Sequence, residues 1–145
     1  MNKAVFEGYI TLSGDFGCGT LIYLTQENEI EDEDPLIEQL YDFAKKCQNG
    51  RATLSKVYKN LNIMINKCNV RMYYSDSKCT LEEAEGRFIE HMYYGNLHSV
   101  SSSTYYSEFT LLSMDVKKMQ LGPHDITEIL KSHLNKYVHF VIEAE

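Results

Sequence analysis

Residues 4–12, AVFEGYITL, alternate apolar and polar side chains well enough to predict a strand. Residues 20–26, TLIYLTQ, carry the β-branched and aromatic side chains that favour another. The glycine-rich SGDFGCG between them predicts a hairpin. Asp34-Pro35 then opens a helix, Asp34 as N-cap and Pro35 at the first helical position. Leu36, Ile37, Leu40, Phe43, Ala44 and Cys47 make its apolar face, and Asn49-Gly50 supplies the stop. Residues 53–61 read as a short helix or as the start of a strand. NIMI (62–65) and VRMYY (70–74) predict strands flanking a turn at 66–69. TLEE (80–83) is a capping box, and the helix it opens carries Leu81, Ala84, Phe88 and Met92 on one face and ends at Gly95. Residues 96–103 predict a loop, and TYYSEFTLLSMDV (104–116) a long strand. Gly122-Pro123-His124-Asp125 starts a further helix with Ile126, Ile129, Leu130 and Leu134 inward. KYVHFVIEA (136–144) is a closing strand, with Val138, Phe140 and Ile142 facing one way and Tyr137, His139 and Val141 the other.

This order mixes strands and helices without regular βαβ repeats, so the expected fold class is α+β. Three or four helices would pack on a mostly antiparallel sheet. A length of 145 residues suits one domain spanning 1–145, and no Gly/Ser/Pro linker divides the chain. The N-terminal stretch reads as a strand and not as a signal peptide. No window approaches the roughly 18 apolar residues of a membrane helix. Cys18, Cys47, Cys68 and Cys79 show neither CxxC nor a disulfide framework, which points to free thiols in a reducing cytoplasm; a single Cys68–Cys79 bridge is the alternative.

Charge changes the picture. The net charge is −7, which argues against non-specific nucleic-acid binding and against an anionic membrane surface. Glu27, Glu29, Glu31, Asp32, Glu33 and Asp34 put six carboxylates into eight residues. Residues 27–42 hold eight acids and no base, whereas 45–71 hold seven bases and no acid. Either the two segments are neighbours that screen each other, or they form two faces of opposite sign. The dipole of the helix after Pro35 accounts for Glu33 and Asp34, but hardly for all six acids.

Catalytic signatures are weak. SGDFGCGT lacks the following helix that a phosphate cradle needs, and there is no GK[ST] or GxGxxG. Cys18 has no histidine near it in sequence to act as base. His124 and Glu128 share a helix face, but His133 points about 180° away, so no metal site is expected. Asp76, Glu82, Glu83 and Glu85 read as cap and solvated helix charge. The 11 tyrosines include the adjacent pairs Tyr73-Tyr74, Tyr93-Tyr94 and Tyr105-Tyr106. In a strand, one of each pair faces away from the core, either as a second packed layer or as an interaction surface.

SEFTLLSMDVKKMQLGPHDITEILKSHLNKYVHFVIEAE (107–145) resembles the C-terminal part of small bacteriophage and prophage accessory proteins. The likeness is carried by Ser107-Glu108-x-Thr110, Leu121-Gly122-x-His124-Asp125-Ile126, Leu130 and Lys136-Tyr137-Val138. VRMYYSDSKCTLEEAEGRFIE (70–90) is similar to a strand–helix unit in the same proteins. The resemblance implies a setting: proteins that inactivate a host factor, as DNA mimics or as sponges for a signalling nucleotide. The leading expectation is a non-enzymatic, cofactor-free, cytoplasmic inhibitor of a host defence factor such as a CRISPR nuclease. Residues 27–34 would meet the basic surface of that host protein. The alternative is an oligomeric nucleotide sponge using Arg51, Lys56, Lys59, Arg71, Tyr73 and Tyr105. A second alternative is a small enzyme with a dispersed active site.

Overall fold

The computed structural model describes residues 1–13, 21–26, 34–54, 61–105 and 111–145, with Ser13, 102–105 and 111–118 described by their backbone alone. The chain forms β1 (Asn2–Ser13), β2 (Leu21–Thr25), α1 (Leu36–Lys46), β3 (Gly50–Leu54) and β4 (Leu61–Ser75). There follow α2 (Leu81–Arg87), β5 (His91–Tyr105), β6 (Leu111–Leu121), β7 (His124–Asp125), α3 (Ile126–Lys131) and β8 (Tyr137–Ala144). All described pairings are antiparallel, in the order β2-β1-β8-β4-β5-β6-β7, with β3 also on β4. The fold is therefore dominated by one eight-stranded sheet with three short helices, which corrects the α+β expectation.

Three local misreadings produce that correction. The helix opened by Thr80 stops at Arg87, and His91 begins a strand that runs through the expected loop at 96–103. The aromatic, alternating HMYYGNLHSV pairs along β4, so pairing and β-propensity outweigh the i, i+3, i+7, i+11 spacing of Leu81, Ala84, Phe88 and Met92. The expected turn at 66–69 is a bulge inside one 15-residue strand. Lys67 adopts φ 54, and three steps on β4 (Ile65 to Cys68) match two on β5 (Leu97 to Gly95). Leu61, Ile63 and Ile65 point inward before the bulge; the extra residue shifts the parity, so Cys68, Val70 and Met72 point inward after it. The expected long strand at 104–116 is split: β5 ends at Tyr105 and β6 begins at Leu111.

The β1–β2 hairpin forms, with Tyr9 opposite Thr25 and Ser13 opposite Leu21. Helix α1 buries Leu36, Ile37, Leu40, Phe43 and Ala44 as its periodicity predicts. Its cap differs, because Pro35 is the N-cap and no side chain caps the helix; the Asp34 carbonyl instead accepts from Gln39 Nε2 at 3.1 Å. Thr80 Oγ1 accepts from the Glu83 amide at 3.2 Å, as the capping box predicts. Asp125 caps α3 through the Glu128 amide at 3.1 Å, while Leu134, expected inward, is 40% exposed.

Helices α1 and α3 cover the inner face of the sheet, α1 against β2, β3 and β4, and α3 against β1, β6 and β7. The core lies there, around Ile10, Leu40, Ile63, Val70, Met72, Leu130 and Phe140. Strand β8 lies between β1 and β4 and is buried on both faces, as a near-continuous apolar run requires. No helix among the described residues is long and apolar enough to cross a membrane.

Candidate binding face

The outer face of the sheet carries the unusual chemistry, and strand register builds it. Tyr9, Tyr137 and Ser75 form one row across β1, β8 and β4, and Glu7, His139 and Tyr73 form the next. Val5, Val141, Arg71 and Met92 make a third row that extends onto β5, and Lys3, Glu143, Asn69 and Tyr94 a fourth. Directly opposed side chains in such rows lie about 5 Å apart.

The first two rows are covered by residues 76–90. The Lys78 amide donates to Tyr9 Oη at 3.1 Å, and the Cys79 carbonyl and Glu7 Oε2 each lie 3.0 Å from His139 Nε2. His139 is fully buried. Both neighbours of Nε2 are acceptors, so that nitrogen carries the hydrogen, and Nδ1 has no partner among the described residues. The Tyr137 ring meets His139 edge-on at 5.3 Å and Tyr9 at 5.0 Å. Burial, with the Glu7 charge next, pushes the Tyr137 hydroxyl up to about 12, so it stays protonated and donates to Gln26 Oε1 at 3.4 Å.

The next rows open to solvent around one cation. Arg71 donates to Glu143 Oε1 at 3.0 Å and to Tyr73 Oη at 3.4 Å, and lies 3.6 Å from Glu90 Oε1. Tyr73 Oη donates onward to Glu90 Oε1 at 3.2 Å, and burial followed by the Glu90 charge raises its pKa. Apolar side chains stand exposed around this cluster: Val5 at 38%, Met92 at 55%, Tyr94 at 63%, and, after α2, Phe88 at 39% and Ile89 at 77%.

Of the residues expected to hold a ligand, Arg71 and Tyr73 are brought together, but Tyr73 is only 4% exposed and serves the network rather than a stacking surface. Arg51 is exposed opposite Met64, beyond the bulge from Arg71. Lys56, Lys59 and the Tyr105 side chain lie outside the described residues. So do Glu27, Glu29, Glu31, Asp32 and Glu33, and Cys18 with its glycine-rich link. Asp34 is exposed and, after burial, is the main charge that raises the pKa of Glu38. Cys68 and Cys79 are free thiols on opposite faces of β4, Cys68 in the inner core and Cys79 beside Ser75 Oγ at 3.6 Å, so they do not bridge.

His133 stacks on Tyr74 at 3.8 Å and 5°, with His91 edge-on to the same ring at 5.3 Å. His124 packs on Tyr93 at 4.9 Å. Among the described residues, no three His, Cys, Asp or Glu side chains are grouped to hold a metal. Sequence reasoning placed Met92 and Tyr94 in a helix ending at Gly95 and so missed that both stand exposed on strand β5. It missed Glu7, Asn69 and Glu143 because only register across β1, β8 and β4 assembles them. No protein family, curated protein or solved structure matches the chain.

Proposed function

We propose that the protein is a non-enzymatic binding protein of the bacteriophage accessory kind. In this reading it occupies a basic surface of a host protein, with a defence factor such as a CRISPR nuclease as the target class. The observation that carries the reading is the open part of the outer face. Met92 stands exposed opposite Arg71, Val5 stands exposed in the same row, and Ile89 is exposed next to Glu90, which lies 3.6 Å from Arg71, in a protein of net charge −7. Exposed apolar side chains next to an arginine resemble the centre of a protein interface, and the acidic surplus steers a basic partner toward it. The acidic run at 27–34 then strengthens the encounter instead of forming the whole contact.

Affinity capture of the full chain from its source cells, across a salt series, tests this. The wild type should retain one basic partner, released as salt rises. The double variant Ile89→Lys/Met92→Lys places two charges of the partner's own sign on the face and should lose it. Retention of the same partner by the double variant, or no salt-sensitive partner at all, refutes the reading.

A further inference from the structure

The fourth row of the outer face borders a cleft of about 360 Å³, within the size range of small-molecule sites. Its lining includes Asn49, Lys67, Asn69, Tyr94, Glu143 and Glu145. Register sets Asn69 between Glu143 and Tyr94, and the bulge brings Lys67 to the same cleft. The backbone there is held: the Lys67 amide donates to Asn96 Oδ1 at 3.0 Å, and the Asn49 carbonyl accepts from the Asn66 amide at 3.0 Å. The cleft floor is thus a built part of the sheet, independent of the partner-binding reading above.

Three properties define what fits. Tyr94 is 63% exposed and offers a flat apolar ring at the cleft. Asn49 and Asn69 each offer an amide with donors and an acceptor, and Asn69 Oδ1 is buried with no donor among the described residues. Among the side chains the charges nearly cancel, since Arg71 already neutralises Glu143 at 3.0 Å, leaving Lys67 against Glu145, with Met1 also at the cleft. A flat π-face, an edge of N–H and C=O groups, and no net charge together describe a nucleobase. We propose that this cleft binds a nucleobase, free or as its nucleoside, stacked on Tyr94 with its edge read by the Asn69 and Asn49 amides.

Saturation-transfer NMR on the full chain tests this with the four common ribonucleosides, their 5′-monophosphates and a neutral disaccharide. At least one nucleoside should bind, with saturation strongest on its base protons. Tyr94→Ala should weaken that binding roughly ten-fold or more, while Tyr94→Phe, which keeps the ring, should retain it. Asn69→Ala should also weaken it; because Tyr94 is largely exposed, its variants test the idea even if Asn69→Ala fails to fold. Ile89→Lys/Met92→Lys should leave nucleoside binding intact, which separates this site from the protein interface. Binding of the disaccharide alone, no nucleoside signal at millimolar concentration, or equal binding by Tyr94→Ala would overturn the proposal. Preference for a monophosphate over its nucleoside would overturn the assignment of an uncharged ligand.

Discussion

The buried contact between His139 and Glu7 gives the sharpest energetic test. His139 is fully buried, and its Nε2–H is shared between Glu7 Oε2 and the Cys79 carbonyl, each at 3.0 Å. A hydrogen bond to a charged group nets about 1.5–3 kcal/mol. Here one proton serves two acceptors, and the Glu7 side chain is 43% exposed, so screening lowers the expected coupling to about 1 kcal/mol. His139→Phe keeps an aromatic ring but leaves both acceptors without their donor. It also removes the unpartnered Nδ1, which offsets part of the loss, so the net cost should be about 1–2 kcal/mol. Glu7→Ala should cost about 1 kcal/mol by itself. In the double variant the two losses should fall short of adding by the coupling energy. The chain has no tryptophan, so urea unfolding is best followed by far-UV circular dichroism. Additivity within about 0.3 kcal/mol, or a His139→Phe variant as stable as the wild type, would refute the shared-proton geometry.

Four further outcomes follow from local geometry and burial. Gly8 holds φ 154, and a Cβ there would lie 2.5 Å from the Leu24 carbonyl carbon, so Gly8→Ala should cost about 2 kcal/mol or more in thermal unfolding. Gly86 lies in α2 with nothing within 4 Å of a new Cβ, so Gly86→Ala should be neutral or slightly stabilising. Burial, then Asp34 and Asp42, raises the Glu38 pKa in the folded state, so its ionisation weakens folding at neutral pH. Glu38→Gln should therefore raise the melting temperature at pH 7. That gain should vanish as pH falls below the ordinary carboxylate range, where Glu38 is protonated whether folded or not. Burial pushes the Cys68 thiol up to about 12, so native-state alkylation near pH 8, read by peptide mass spectrometry, should label Cys79 and spare Cys68 until the chain unfolds.

Local signals in the chain were legible. The hairpin of β1 and β2, the apolar stripe of α1, the Thr80 and Asp125 caps, and the two-faced alternation of β8 all follow from spacing and side-chain chemistry within a dozen residues. What was hidden depends on distant partners. Asn66-Lys67-Cys68-Asn69 has turn composition, and only β5 running past it turns a reversal into a bulge. The stretch after Arg87 satisfies helical spacing by coincidence, and the second half of β4 supplies the pairing that makes it a strand. The outer face was legible as tyrosine richness alone. That Tyr73 would be covered and Tyr94 exposed depends on where residues 76–90 lie, which no local pattern encodes.

The position of β8 also governs when this fold can exist. Residues 2–9 on one side and 69–75 on the other meet only through a strand ending at Ala144. In this fold the facing edges of β1 and β4 are both paired by β8. Joining these two parts of the sheet is therefore a long-range closure in sequence, and pairing of that kind slows folding.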